Sequence, residues 1–156
     1  MKYWLLLLLS FNAFSQWQLQ GKGRYDYLWF DIYDAAYYTD GAKQALELKY
    51  FRDFSGSDIS HQTAKEWRHL KQYPDKRYRH WLAWFSQHCP DVKAGDRLRL
   101  EVSADSSTLL KNDHVVARIK DADFGPAFLA IWLSPRTNAQ ALRRALLGKE
   151  EKCARC

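Results

Sequence analysis

Two runs of strict alternation constrain this chain more than any other feature in it. In Arg97-Leu98-Arg99-Leu100-Glu101-Val102 every second residue is apolar, and Ala45-Leu46-Glu47-Leu48-Lys49-Tyr50 repeats the pattern through Leu46, Leu48 and Tyr50. A period of two sets one row of side chains against a core and the other in water, as in a half-buried antiparallel strand. Between the two runs the period becomes helical. Ser55-Gly56-Ser57-Asp58 offers an N-cap oxygen, and Ile59, Thr63, Trp67 and Leu70 follow at helical spacing, predicting an amphipathic helix from Asp58 to about residue 72. Pro74 suits the first turn of a second helix, whose stripe is Tyr78, Trp81, Leu82 and Phe85 and which Pro90 ends.

The flanking segments follow the same logic. Gly21 to Tyr38, rich in aromatic and β-branched residues, predicts two strands with a bend near Asp26. Thr108-Leu109-Leu110 and Val115-Val116-Ala117-Arg118-Ile119 flank Lys111-Asn112-Asp113-His114, which predicts a hairpin turn. Asp121 or Asp123 is expected to cap a helix that runs through Ser134 and stops at Pro135. Thr137 opens a last helix bearing Leu142 and Leu146, closed by Gly148. Strands, two helices, strands, two helices, with no βαβ alternation and no repeat, imply an α+β domain. Its antiparallel sheet carries the helices gathered on one face.

The first residues have a different purpose. Met1-Lys2 followed by Tyr3-Trp4-Leu5-Leu6-Leu7-Leu8-Leu9 has the charge and apolar core of a secretory signal, and Ala13-Phe14-Ser15 supplies small residues at a cleavage site. Residues 1–15 are therefore expected to be removed, leaving a mature chain from Gln16 in the periplasm or outside the cell. Ser10 and Asn12 interrupt the run before the roughly 20 apolar residues of a span, so no stable membrane insertion is expected after cleavage. About 140 residues remain, enough for one domain over 16–148, with a charged tail at 149–156.

Composition narrows the chemistry. The formal charge of +6 favours anionic ligands or surfaces, but an exported protein is not expected to meet nucleic acid. Cys89, Cys153 and Cys156 are too few for a disulfide scaffold. Cys153-Ala154-Arg155-Cys156 has redox or metal half-site spacing but lies where the sequence ends rather than at a helix start. His61 and His69, like His80 and His88, stand eight apart rather than four, so no metal site is expected. No GxSxG elbow, HExxH or phosphate loop is present, and no cofactor is implied. Aromatic residues at 15%, seven of them Trp, exceed what a core of this size needs and suit a cavity lining. The informative polar groups are Arg24, Asp31, Tyr33 and Tyr37, set among apolar residues on the first strand pair. Arg24 either holds a carboxylate or phenolate in a cleft under the helices or is a surface arginine paired with Asp26.

Several landmarks occur in order along nearly the whole mature chain: Gly21-Lys22-Gly23-Arg24, Phe30-Asp31-Ile32-Tyr33-Asp34-Ala35-Ala36-Tyr37-Tyr38, the Ala45 to Tyr50 strand, Pro90-Asp91-Val92-Lys93-Ala94-Gly95-Asp96, and Ile131-Trp132-Leu133 with Leu146-Leu147-Gly148. In this the chain resembles the bacterial chalcone isomerase-like proteins. The resemblance implies an open-faced β-sandwich, a large antiparallel sheet packed on a helical layer with a ligand cleft between them. Plant members cyclise chalcones and other relatives bind fatty acids, so the fold alone does not decide function. Carried over by position, the anion-binding arginine falls on Arg24, the ketone-polarising threonine near Asp31, the catalytic tyrosine on Ile59 and its asparagine partner near Glu66. Ile59 neither donates a hydrogen bond nor orders water, and Asp31 would oppose a developing oxyanion. The expectation is thus a non-catalytic protein binding a small apolar acid such as a fatty acid, with Arg24, Asp31, Tyr33, Tyr37 and Ile59 as site residues. The alternatives are an isomerase using other residues and an interaction module without a ligand.

Overall fold

The computed structural model describes residues 16–149. The expected signal, Cys153 and Cys156 lie outside the described residues. Ten elements follow one another: β1 (Gln18–Tyr27), β2 (Phe30–Asp40), β3 (Lys43–Tyr50), α1 (Gly56–Leu70), α2 (Asp75–His88), β4 (Arg97–Val102), β5 (Ser107–Lys111), β6 (His114–Ile119), α3 (Phe124–Leu133) and α4 (Gln140–Leu146). The strands form one antiparallel sheet in chain order, β1 to β6. The two alternating runs found in the sequence become neighbours at its centre, with Leu46 opposite Leu100 and Leu48 opposite Leu98, and Leu100 opposite Leu109 on the next strand. These leucines are buried, and the intervening Glu47, Arg99 and Glu101 form a charged row on the other face, with Glu47 within 3.6 Å of Arg97 and 3.8 Å of Arg99.

Helices cover the leucine face. Ser55 caps α1 by accepting from the Asp58 amide at 3.0 Å while Asp58 accepts from the Ser55 amide at 3.1 Å, a reciprocal box that holds the Asp58 carboxyl below its ordinary range. The helix stops where Lys71 turns left-handed, at φ 50°. Pro74 is the N-cap residue of α2, which ends at Cys89, just before Pro90. Trp67, Trp81, Phe85 and Phe124 are wholly buried; Trp67, Trp81 and Phe124 meet edge to face or tilted, 5.9 Å between the two tryptophans and 6.2 Å from Trp67 to Phe124, and Phe85 tilts against Phe128 at 5.2 Å. Each such ring contributes about 1.5–3 kcal/mol by burial. Much of the aromatic surplus is therefore this helical core. The indole N–H groups are satisfied, Trp67 donating to the Ala127 carbonyl at 3.0 Å and Trp81 to the Asp121 carboxylate at 2.9 Å.

Asp121, rather than Asp123, caps α3: its Oδ1 accepts from the Asp123 amide at 2.9 Å and the Phe124 amide at 3.3 Å, and the Asp123 side chain makes no cap bond. The last helix begins at Gln140, not Thr137, because Thr137 is used locally. Its hydroxyl donates to the Ile131 carbonyl at 2.6 Å and accepts from the Ala139 amide at 3.1 Å. Helix α4 lies directly on β1, where a methyl group at Gly21 would overlap the Ala145 carbonyl and one at Gly23 the Ala145 and Leu142 side chains. The first hairpin turns at Leu28–Trp29, two residues beyond the expected bend at Asp26. The β5–β6 hairpin turns at Asn112–Asp113, inside the segment expected. No helix among the described residues is long and apolar enough to cross a membrane.

Candidate ligand cavity

Between the sheet and α1, α2 and α3 the packing opens into a cavity of about 890 Å³. The alternation of the strands decides its walls. Inward rows bring Tyr25 from β1, Tyr33 from β2, Leu46, Leu48 and Tyr50 from β3, Leu98 and Leu100 from β4, and Leu109 from β5. The helices return Ile59 and Thr63 from α1, Phe85 from α2, and Phe128, Ile131 and Trp132 from α3. A polar rim completes it, with Asp53, Asp58, Gln62, Lys65, Glu66 and Asn138. Glu66 is held by two amides, accepting from Gln62 at 2.9 Å and from Asn138 at 3.1 Å.

One end of the cavity is built of phenols. Tyr25 stacks on Tyr33 at 5.2 Å, Tyr33 meets Tyr50 edge to face at 5.7 Å, and Tyr50 meets Phe54 likewise at 5.7 Å. Trp132 Nε1 donates to the Tyr33 hydroxyl at 2.9 Å, so that oxygen accepts one hydrogen bond and retains its own proton to give. Tyr50 is only 4% exposed, yet its hydroxyl makes no hydrogen bond within the described protein and is not sealed from the cavity. Burial raises the pKa of Tyr33, with the Trp132 hydrogen bond opposing it, and raises that of Tyr50 well above its ordinary value. Both are neutral O–H donors at any physiological pH. The opposite end is aliphatic, so the cavity runs across the sheet from hydroxyls on β1–β3 to leucines on β4 and β5.

The sequence-derived residues divide between the two faces of the sheet. Tyr33 and Ile59 line the cavity. Arg24 and Asp31 do not, and the expectation that they face the cleft is corrected by the strand period. Gly21, Gly23 and Tyr25 take the inward row of β1, which sends Arg24 outward. There its guanidinium bonds Asp34 at 2.8 Å and Asp31 at 2.9 Å and stacks 4.6 Å from the Phe51 ring. Its carboxylate partners are thus Asp31 and Asp34 rather than Asp26. Tyr37 is buried in the core opposite Gly21 and Leu46, outside the cavity wall. Of the two cationic residues in the wall, Lys65 stands on the exposed rim, and the Arg99 guanidinium lies over the Trp17 and Tyr38 rings. Cys89 is buried, its thiol pushed up to about 12 by burial, and among the described residues no cluster suits a metal ion.

Sequence reasoning passed over Tyr25, Tyr50 and Trp132 as site residues. Tyr50 was visible as an inward position of an alternating strand, but nothing in the sequence distinguishes a tyrosine that packs from one whose hydroxyl opens on a void.

A profile of the chalcone isomerase-like family matches residues 12–148, most of the chain. The chain belongs to this family. Among its relatives is an uncharacterized protein of Haemophilus influenzae, 28% identical over 152 residues that cover 93% of this chain and 75% of the relative. A crystal structure of an Arabidopsis thaliana fatty-acid binding protein superposes with a TM-score of 0.70 at 11% identity, covering 84% of this chain and 86% of the other. At that identity the likeness establishes the chalcone isomerase-like fold. Ile59, the residue to which the resemblance carries the catalytic tyrosine, lies on the cavity wall, and Glu66, near which it carries that tyrosine's partner, is engaged by two amides.

Proposed function

We propose that this protein is an exported, non-catalytic binder of a long-chain apolar acid or closely similar molecule, carried in the cavity between sheet and helices. The observation that carries this reading is the cavity's polarity. Some 890 Å³ lies within the range of about 300–1,000 Å³ usual for small-molecule sites, and inside its polar rim the wall is mainly aliphatic and aromatic, with phenol donors at one end. The apolar body lies along Leu46, Leu98, Leu100, Leu109 and Phe128. The acid oxygens accept from the Tyr33 and Tyr50 hydroxyls rather than from Arg24, whose charge is spent on two aspartates across the sheet. Ile59 offers no proton to a substrate and the Glu66 carboxylate is occupied, which supports binding over turnover. The fatty-acid binding neighbour supports the ligand class, and the charged start, leucine run and Ala13-Phe14-Ser15 support export.

The test is calorimetric titration of the mature chain with a long-chain fatty acid. Tyr50→Phe removes only a hydroxyl that has no protein partner, so it should leave the melting temperature unchanged. Lost contact to a charged head should weaken binding about 10- to 150-fold. Ile59→Trp, at a half-buried position on the wall, should fill the cavity and abolish binding. A parent that binds no acid, or a Tyr50→Phe variant that binds as tightly as the parent, refutes the site, and saturable cyclisation of a hydroxychalcone would favour the isomerase reading instead.

A further inference from the structure

We propose that the tip of the β1–β2 hairpin docks on a lipid bilayer and brings the cavity against it. Four successive side chains project there: Tyr27 is 59% exposed, Leu28 65%, Trp29 99% and Phe30 51%. The other large exposed apolar residues among those described, Leu19, Val115 and Val116, lie elsewhere on the sheet and form no comparable run. Leu28 and Trp29 also occupy the two left-handed positions of the turn, which disfavour bulky side chains. The fold gains nothing from them, since neither belongs to the core or its packed fringe.

The shape and composition of the tip indicate what covers it. Four convex side chains fall far short of the roughly 1,200–2,000 Å² that a stable protein interface buries. Trp, Tyr and Phe are the residues that settle at the boundary between lipid headgroups and acyl chains. Arg52 stacks its guanidinium 4.1 Å over the Phe30 ring, an arrangement in which an apolar stem enters the interface while the charge stays at headgroup level. The tip is also continuous with the cavity, because Tyr27 belongs to both and Tyr25 and Ile32 just behind it are wall residues. An apolar acid resides in bilayers far more than in water, so a mouth held at the membrane would take up or release it without a long aqueous step. That purpose rests on the proposed function, but the docking itself does not. The aspartates beside the turn, Asp26 and Asp31, argue against charge as the driving force, and the apolar side chains must carry the attachment.

Vesicle flotation of the mature chain tests this, using phosphatidylcholine vesicles and, separately, phosphatidylethanolamine–phosphatidylglycerol vesicles. The parent should float with both, and raising salt from about 0.15 M to about 0.5 M should change this little, since the Debye length shrinks but apolar insertion does not depend on it. Leu28→Asn/Trp29→Gly, whose residues suit the turn and keep the fold, should lower vesicle partition about tenfold or more. Ile59→Trp should float like the parent while failing to bind fatty acid, which separates failure of the docking from failure of the ligand site. A parent that stays with the soluble fraction, a double variant that floats equally, or flotation lost at high salt overturns the proposal. So would a parent dimer in light scattering that the double variant dissolves, because the tip would then be a contact between two copies.

Discussion

The β5–β6 and β1–β2 hairpins close through the same backbone geometry, two residues with positive φ: Asn112 at 48° and Asp113 at 70° in one, Leu28 at 46° and Trp29 at 74° in the other. In the first, both residue types tolerate the left-handed region and both side chains are used. Asn112 Oδ1 accepts from the Arg97 amide at 2.9 Å, its Nδ2 donates to Asp96 at 3.0 Å, and Asp113 accepts from Arg97 at 2.7 Å. In the second, a γ-branched and an aromatic residue stand where each costs about 1–2 kcal/mol relative to ordinary backbone, and their side chains face water. Asn112–Asp113 is what the sheet requires at a tight turn. Leu28–Trp29 is tolerated by the sheet, so the reason for it lies outside the fold.

The comparison makes opposite predictions for the two turns. The larger effect belongs to Asn112→Ala, which forces alanine into the left-handed region and removes two hydrogen bonds, leaving the partly buried Arg97 amide unpaired. A loss of about 2–3 kcal/mol is expected in urea unfolding. A loss below about 0.5 kcal/mol would mean that the side chain does not organise the turn. Leu28→Asn/Trp29→Gly should move the other way and stabilise the isolated domain by about 1–2 kcal/mol, raising the melting temperature by roughly 3–6 °C. If that variant is instead destabilised, the exposed pair is supporting the fold and the contrast between the hairpins fails.

The same contrast explains what was legible in the sequence. Periodicity carried the fold, because Leu46, Leu48, Leu98 and Leu100 alternate where one face is buried, and Asn112-Asp113 announces its turn through residues that suit positive φ. Leu28-Trp29 carries no such signal, so the first bend was expected two residues early, at Asp26. Placement relative to the cavity was harder still. Arg24 is one residue from Tyr25, and a period of two sends them to opposite faces. Gly21 and Gly23, without side chains, hide which row of β1 is inward until α4 is seen lying on them. Tyr33 was found as a polar group among apolar ones on the first strand pair and Ile59 through the family resemblance, whereas Tyr50 was hidden by looking like ordinary core. Thr137 misled for a related reason: a good N-cap residue in sequence, it is drawn to the Ile131 carbonyl by the turn after α3.

The smallest effect, and the sharpest discriminator, concerns acid. Asp113 is held below its ordinary carboxylate range, first by its hydrogen bonds from Arg97 and then by the same charge, and Asp96 is held low first by the Asn112 amide and next by the Lys93 backbone. A carboxylate whose folded pKa is depressed contributes stability that is present above its unfolded value of about 3.9 and is lost as pH falls through the folded value. Protection of the Arg97 and Asn112 amides, which close the β4–β5–β6 corner through Asn112 Oδ1 and the Arg97 carbonyl, should therefore fall as pH drops below about 4. Leu28 and Trp29 carry no titratable group, and of the aspartates beside their turn Asp31 bonds the Arg24 side chain rather than a turn amide, so the amides that close the β1–β2 turn should lose less protection over that range. Hydrogen exchange read by mass spectrometry, expressed as protection relative to the unstructured rate at each pH, measures both corners in one experiment. Asp113→Asn should flatten the acid step at the first corner and leave the second unchanged. An acid step of equal size at both turns would show that global unfolding, not the Asp113 and Asp96 carboxylates, sets the loss, and would remove the electrostatic half of the difference between the two hairpins.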